Sequence, residues 1–316
     1  MNKRLEGHGA KYWIDTDTGS DDAVALMIAF AHVSSQIEGI STVAGNVPVE
    51  QATINAGYTA RLCGMTFRIH AGAANPLQRP LETAQHVHGQ DGMGDIGLDL
   101  GFCEVSDQIA ARAIVTAVLE NPDQLEIITL GPLTNIATAL RLDPSIAKHI
   151  KRITIMGGTS DYYGNVTPVS EYNVWADPEA ADIVFTSPTP KLMVGWDISR
   201  KFAAFNDADA DTLLAIGTEK ARVAVESQAV LREFCRNTTG VDGFDLPDPI
   251  AVAAAINPNV VTESVRYAVS VCCNDGPTRG MTILSDRHMG DAPKSTEVAT
   301  HADRDLFVDM LREALA

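Results

Sequence analysis

The stretch WIDTDTGSDD, residues 13–22, carries four carboxylates: Asp15, Asp17, Asp21 and Asp22. Four like charges this close repel one another, and the apolar segment that follows, AVALMIAFAH, reads as a buried helix. A fold that buries their neighbours has to compensate them. Oxygen-rich loops suit a hard cation such as Ca2+ or Mg2+, which takes carboxylate, carbonyl and water oxygens. The spacing is not that of an EF-hand, because the upstream helix and the Glu at the twelfth loop position are both missing. A simpler reading is that Asp21 and Asp22 cap the next helix, where acids are favourable. A phosphotransfer site on an Asp nucleophile is disfavoured, since the motif holds no Lys or Arg to neutralise a phosphate.

Short apolar runs alternate with helical runs around this motif, the mark of βα units. Lys11–Asp15, IEGISTVAGN, FRIHAGA, LEIITLG, IKRITIMGG and PKLMVGWD read as strands. Residues 22–32, VEQATINAGYTARLCG, residues 107–120, PLTNIATALRLDP, DPEAADIVFTS and PIAVAAAINP read as helices, the fourth with Pro in its first turn. The expected fold is α/β: one domain over 1–316, with an open, mostly parallel central sheet flanked by helices and a Rossmann-like core. Residues 75–102 break the rhythm with a long loop rich in Gly, Asp and His, and loops of that length are uncommon unless functional or disordered. A helix-rich part from about Ala208 ends in the Gly/Asp loop TTGVDGFDLPD. Segments 75–102 and 225–247 are the expected substrate-side elements. In the tail, SVRYAVSVC forms a hairpin through CNDGPTRG with GMTILSD, and residues 305–314 close as a helix.

The polar clusters follow predicted strands. Asp15, Asp17 and Asp22 follow the first, Asn46 the second and Leu130-Gly131 a later one. Asn165, Glu171 and Asn173 follow the next, and Asp197 the last clear one. In open α/β sheets the ligand crevice lies beyond the carboxyl ends of the strands, so these residues are candidates to converge.

The net charge of −17, from 41 acids against 24 Lys and Arg, argues against nucleic acid and against anionic membrane surfaces as partners. Five cysteines with no CxxC spacing read as small buried apolar residues. No apolar run of about 18 residues suggests a spanning helix. The basic N-terminus lacks the apolar stretch of a secretory signal, so a cytoplasmic setting is expected.

DTDTGSDDAVAL closely resembles the amino-terminal signature of the inosine-uridine preferring nucleoside hydrolases. The resemblance continues in order through TVAGN at 42–46, HVHGQDGMG at 86–94, LGPLTNIA at 130–137 and IMGG at 155–158. GNVTPVSEYNVWADPEAA at 164–181 and DPIAVA at 248–253 complete it. It implies Ca2+-dependent hydrolysis of the N-glycosidic bond of purine or pyrimidine ribonucleosides. By position, Asp17 would be general base and metal ligand, joined by Asp22, the backbone carbonyl of Leu130 and Asp248. Asp21, Asn46, Asn165, Glu171 and Asn173 would bind ribose, Met156 and Trp175 would line the pocket, and His88 would lie near the base. Members of the family often form dimers or tetramers, so a homo-oligomer is expected.

One position departs. The family's last motif is His-Asp-Pro, whose His protonates the leaving base, whereas here Pro247 precedes Asp248. A Pro side chain donates no proton. His88, Tyr163 or Arg232 could supply one instead, or Trp196 or Trp175 could activate the base by stacking. The alternatives are a weakly catalytic nucleoside- or ribose-binding protein, and a hydrolase of an atypical ribosyl compound with a better leaving group. Simpler roles compete: core packing for the two Trp, solvent exposure for His88, surface cover for Tyr163 and a structural ion pair for Arg232.

Overall fold

The strand order of the central sheet reverses at its first strand. β1 (Lys11–Thr16), β2 (Ile37–Thr42), β3 (Ile69–Ala71), β4 (Leu125–Thr129), β5 (Arg152–Met156) and β6 (Lys191–Val194) are ordered β3-β2-β1-β4-β5-β6. Every neighbouring pair among them is parallel. This is the doubly wound arrangement, and its switch point, where a ligand crevice opens, lies between β1 and β4. Helices cover both faces, so β4 and β6 are buried along their whole length and are apolar except at Glu126, Thr129 and Lys191. The computed structural model describes residues 10–239, 242–287 and 293–316. Among these, no helix is long and apolar enough to cross a membrane.

β7 (Ala204–Phe205) and β8 (Phe244–Asp245) form a separate antiparallel ribbon. β9 (Val261–Val271) and β10 (Thr282–Ser285) make the expected hairpin. β11 (Thr296–Ala302) was not expected. It joins the hairpin to the parallel strands, running parallel to β6 and antiparallel to β9. Its segment TEVATHA is poor in large apolar residues, and strand propensity depends strongly on neighbours. Insertion between β6 and β9 makes it a strand.

Other boundaries also move. The first helix starts at Ser20, so Asp21 and Asp22 form its first turn. The helix after β4 starts at Thr134, leaving Pro132 outside its first turn. β6 stops at Val194, and Trp196–Phe202 is a short helix. Within 75–102 only Gln85–His88 is helical.

Two helices matter most for the site. Ser20–Val33 and Pro247–Ile256 pack against each other, and nearly all residues of both are buried. Ala251, Ala253, Ala254 and Ala255 keep the second helix thin, and interaxial distance follows the side chains at the contact. The pairing brings the amino ends of the two helices together.

Lys191 opens β6 and is buried. Its ammonium donates to the carbonyls of Ser187 (2.7 Å) and Thr189 (2.6 Å) and to Ser295 Oγ (2.8 Å). Burial pushes its pKa down to about 7. Below pH 7 both folded and unfolded chains hold this proton. Above it, up to the ordinary lysine value of 10.5, only the unfolded chain does, so stability attributable to Lys191 rises with pH. Denaturant melts should therefore find wild type gaining ~2 kcal/mol on Lys191→Met between pH 7 and 9. A pH-independent difference would mean that the amine keeps its ordinary pKa.

Candidate functional site

Asp17 lies just beyond β1, at the switch point. The Asn46 backbone N–H donates to its Oδ2 (2.7 Å), and the Asn46 amide donates to its Oδ1 (3.3 Å) and to Asp22 Oδ2 (3.1 Å). The glycines in the turns after β2 and β4 make room for this carboxylate. A Cβ on Gly45 would stand 2.1 Å from Asp17 Oδ2, and one on Gly131 2.8 Å from its Cγ. Asp22 accepts from the Gly19 backbone N–H (2.9 Å) and from Thr16 Oγ1, so it does cap its helix. It also takes part in a carboxylate group.

That group is Asp21, Asp22 and Asp248, all buried, with one oxygen from each lying within 4.8 Å of the others. Asp21 and Asp22 sit in the first turn of one helix and Asp248 in the first turn of its partner. Two positive helix ends thus favour the same negative charge. They do not neutralise it. Burial pushes Asp21 and Asp22 up to about 6, with repulsion from Asp245 added for Asp21 and from Asp21 for Asp22. Burial and repulsion from Asp22 and Asp21 also raise Asp17 and Asp248. Asp21 Oδ1 and Asp248 Oδ1 are buried without a hydrogen-bond partner among the described residues. Oxygen-only donors, two orphaned oxygens and excess negative charge fit a hard divalent cation.

The expected ligand set was Asp17, Asp22, the Leu130 carbonyl and Asp248. The structure groups Asp22 and Asp248 with Asp21, and holds Asp17 against Asn46 at the border of the group. The Leu130 carbonyl accepts from Asn173 Nδ2 (2.8 Å).

A cavity of about 520 Å3 is lined by Asp21 and Asp248 of this floor, whereas Asp22 and Asp17 are not part of its lining. Its lining includes Asn46, Met156, Asn165, Glu171, Asn173 and Trp175, all candidates from the sequence. Glu171 caps the short helix Tyr172–Ala176, and its carboxylate accepts the N–H groups of Gly158 (2.8 Å), Asn173 (2.9 Å) and Val174 (3.3 Å). Burial still pushes its pKa to about 7. Asn165 Oδ1 is buried without a partner among the described residues and suits a ligand hydroxyl. Segments 75–102 and 225–247 also contribute to the lining, with His88 from the first and Pro247 from the second.

His88 is buried rather than solvent-exposed, on the turn Gln85–His88. Its Nδ1 lies 3.1 Å from Ser20 Oγ and 3.6 Å from Asp21 Oδ1. Burial lowers its pKa to about 4, so the imidazole is neutral at pH 7. Trp196 also lines the cavity. Tyr163 stacks on Trp196 (centroids 5.9 Å apart) but does not line the cavity and is half exposed. Arg232 pairs with Asp207 and lies over the Phe244 ring, outside the cavity lining. Asp197 turns away to accept from Ser160. Asp15 faces Ser41 and Asn135 (2.8 Å), bracing β1 against β2 and the helix after β4.

Sequence reasoning missed several lining residues, Asp245, Tyr172 and Glu82 among them. Asp245 lies on the two-residue β8, too short for any periodicity, and its Oδ2 accepts from Trp196 Nε1 (3.0 Å) and Ser199 Oγ. Tyr172, between two expected residues, directs its hydroxyl at the carbonyls of Gly45 (2.7 Å) and Glu82 (2.8 Å), tying the 75–102 segment to the Asn46 turn. Glu82 itself faces the cavity. The whole arrangement can hold a polyol over a cation, with a fixed carboxylate beside it to take a proton.

The family model for inosine-uridine preferring nucleoside hydrolases matches residues 12–309. The chain is 33% identical over 308 residues to the inosine-uridine preferring nucleoside hydrolase of Leishmania major, covering 96% of this chain and 97% of that one. It is 35% identical over 266 residues to uridine nucleosidase 1 of Arabidopsis thaliana, covering 83% and 78%. Among solved structures, a plant nucleoside hydrolase superposes with a TM-score of 0.90 at 31% identity, covering 97% of this chain and 99% of that one.

The carboxylate floor costs stability unless a cation binds. Acids with raised folded pKa values stabilise at low pH and lose that contribution as pH rises from 3.8 through about 6. Thermal melts of chelated protein should fall across that window, and added Ca2+ should reverse the fall. At pH 7.5, chelated Asp248→Asn should be more stable than chelated wild type by roughly 1–3 kcal/mol, with little gain from Ca2+. A variant less stable than wild type under chelation would contradict an uncompensated group.

Proposed function

The chain belongs to the inosine-uridine preferring nucleoside hydrolase family, and from that premise we propose that it hydrolyses ribonucleosides in this cavity with Ca2+ held at the Asp21–Asp22–Asp248 floor. One observation carries the reading: Asp21 and Asp248 of the carboxylate floor line one cavity with Asn165, Glu171 and Asn173, and Asp22 and Asp17 stand behind that lining, Asp17 fixed by Asn46. Asp21, Asp22 and Asp248 would hold the cation, with Asp17 and the Leu130 carbonyl adjacent. When bound, Ca2+ orients the ribose diol and makes water more acidic.

The chain's own residues do the rest. Asn46 fixes both oxygens of Asp17, which takes the proton of the water attacking C1′. Asn165 accepts from a sugar hydroxyl. Glu171 keeps free lone pairs for another, since its backbone donors already fix its orientation. These acceptors favour the positive charge that develops on the ribosyl centre as the C1′–N bond opens. No Lys or Arg lines the cavity among the described residues, so a 5′-phosphate would find only acids there. That supports nucleosides over nucleotides.

Pro247 suits the first position of its helix, where an N–H is not needed, but it gives the leaving base no proton, and of the expected substitute donors only His88 lines the cavity. This favours a second reading, a nucleoside- or ribose-binding protein with little turnover. Asp17 weighs against it, because a binder needs no general base.

A reducing-sugar assay on uridine and inosine should detect ribose, lose the signal with EDTA and regain it with Ca2+. Asp17→Asn should lower kcat by about 10³-fold. Near-normal turnover of this variant would remove Asp17 from the role of base. Pro247→His should raise kcat on inosine by about tenfold or more, the scale of an added general acid. No gain in a folded variant would mean that departure of the base does not wait on that proton.

A further inference from the structure

The cavity's charge does not suit the leaving group of an ordinary nucleoside. A neutral base departs with the electron pair of the C1′–N bond and becomes an anion unless it is protonated. Pro247 donates no proton, and five acidic residues line the cavity, the buried Asp21, Glu171, Asp245 and Asp248 and the exposed Glu82, together with His86 and His88. Asp21 and Asp248 belong to the cation-binding floor, whereas Asp245 and Glu82 lie outside it. No Lys or Arg among the described residues lines the cavity. Arg200 lies over the Trp196 ring but is engaged by Asp161 (2.6 Å) and is not part of the lining. With the cation offsetting Asp21 and Asp248, an anion forming here still meets repulsion from Glu82, Glu171 and Asp245 when they are ionised.

A base that is already cationic meets the opposite situation. Trp175 and Trp196 line the cavity, and aromatic faces attract cations. Asp245 is buried, and Trp196 Nε1 and Ser199 Oγ fix its Oδ2, so it cannot swing away to solvent. It lines the cavity together with Asp21 and His88.

Resting on the hydrolase reading above, we propose that this cavity selects ribosides of cationic heteroaromatic bases, such as N-ribosylpyridinium or N7-alkylated purine ribosides, with Asp245 as a specificity-determining contact. The step balances without a leaving-group acid. Water forms the new C1′–O bond, and the C1′–N electron pair moves onto the positively charged ring, which leaves as a neutral base. Asp17 takes the proton from water and passes it to solvent. Burial pushes the Asp245 carboxyl up, Ser199, Trp196 and Arg200 oppose that, and a bound cation favours the ionised form further.

The test uses Ca2+-loaded full-length protein and two matched comparisons. The first measures ribose release from 7-methylguanosine against guanosine, and from N-ribosyl-3-carbamoylpyridinium against uridine. The second measures binding of 1-methylnicotinamide against neutral nicotinamide by tryptophan fluorescence, which needs no turnover. We expect kcat/KM about tenfold or more higher for each cationic riboside, and tighter binding of the cation. Asp245→Asn keeps an oxygen for Trp196 and Ser199 but removes the charge. It should raise KM for the cationic ribosides more than for the neutral ones. Neutral ribosides turned over as well as cationic ones, with nicotinamide binding as tightly as its methylated cation, would overturn the selectivity and leave the hydrolase reading intact. An unchanged cationic-to-neutral KM ratio in Asp245→Asn would overturn the role of Asp245. Absence of ribose from all four compounds would overturn the hydrolase reading and this substrate class with it.

Discussion

The structure depends on one electrostatic constraint: several carboxylates are gathered where water cannot solvate them. Asp21 and Asp22 at the amino end of one helix face Asp248 at the amino end of another, and Asp17 stands beside them. Helix dipoles, the Asn46 amide and the Gly19 and Thr16 donors reduce the cost without cancelling it, as the raised carboxylate pKa values record. The tight packing of Ser20–Val33 on Pro247–Ile256 keeps the groups from separating. The apolar, Ala-rich character of those helices thus serves the site as directly as the acids do.

Much of the surrounding polar chemistry holds that geometry in place. Gly45 and Gly131 leave space for Asp17, and Tyr172 ties the Asn46 turn to the long segment above it. Asp15 braces the strand below without entering the cavity. Glu171 is held by three backbone N–H groups, which fix the orientation of its carboxylate. Such preorganisation is what lets acceptors favour a developing positive charge without reorienting during the reaction. The same acceptors disfavour an anionic leaving group, and Pro247 removes the usual relief.

The α/β rhythm and six parallel strands were legible because strands covered on both faces leave largely apolar runs, and loops between them collect Gly, Asp and Asn. Asp17, Asp22, Asn46, Glu171 and Asn173 stood out because each follows such a strand. β11 did not stand out, since its residues are mostly small or polar and only its neighbours make it a strand. Asp245 was hidden for a related reason: a two-residue strand inside an irregular loop has no period to read.

The sequence by itself determined the family, the sheet class and the identity of the acidic residues, because those are written in local pattern and ordered motifs. Tertiary structure decided which acids meet. It set Asp21 with Asp22 and Asp248, turned Asp15 and Asp197 away, and placed Tyr163 and Arg232 outside the cavity while bringing Asp245 and Glu82 into it. The physical reason is that charge interactions act through space. Asp22 and Asp248 lie far apart along the chain, and only the packing of two helices determines that each feels the other's charge.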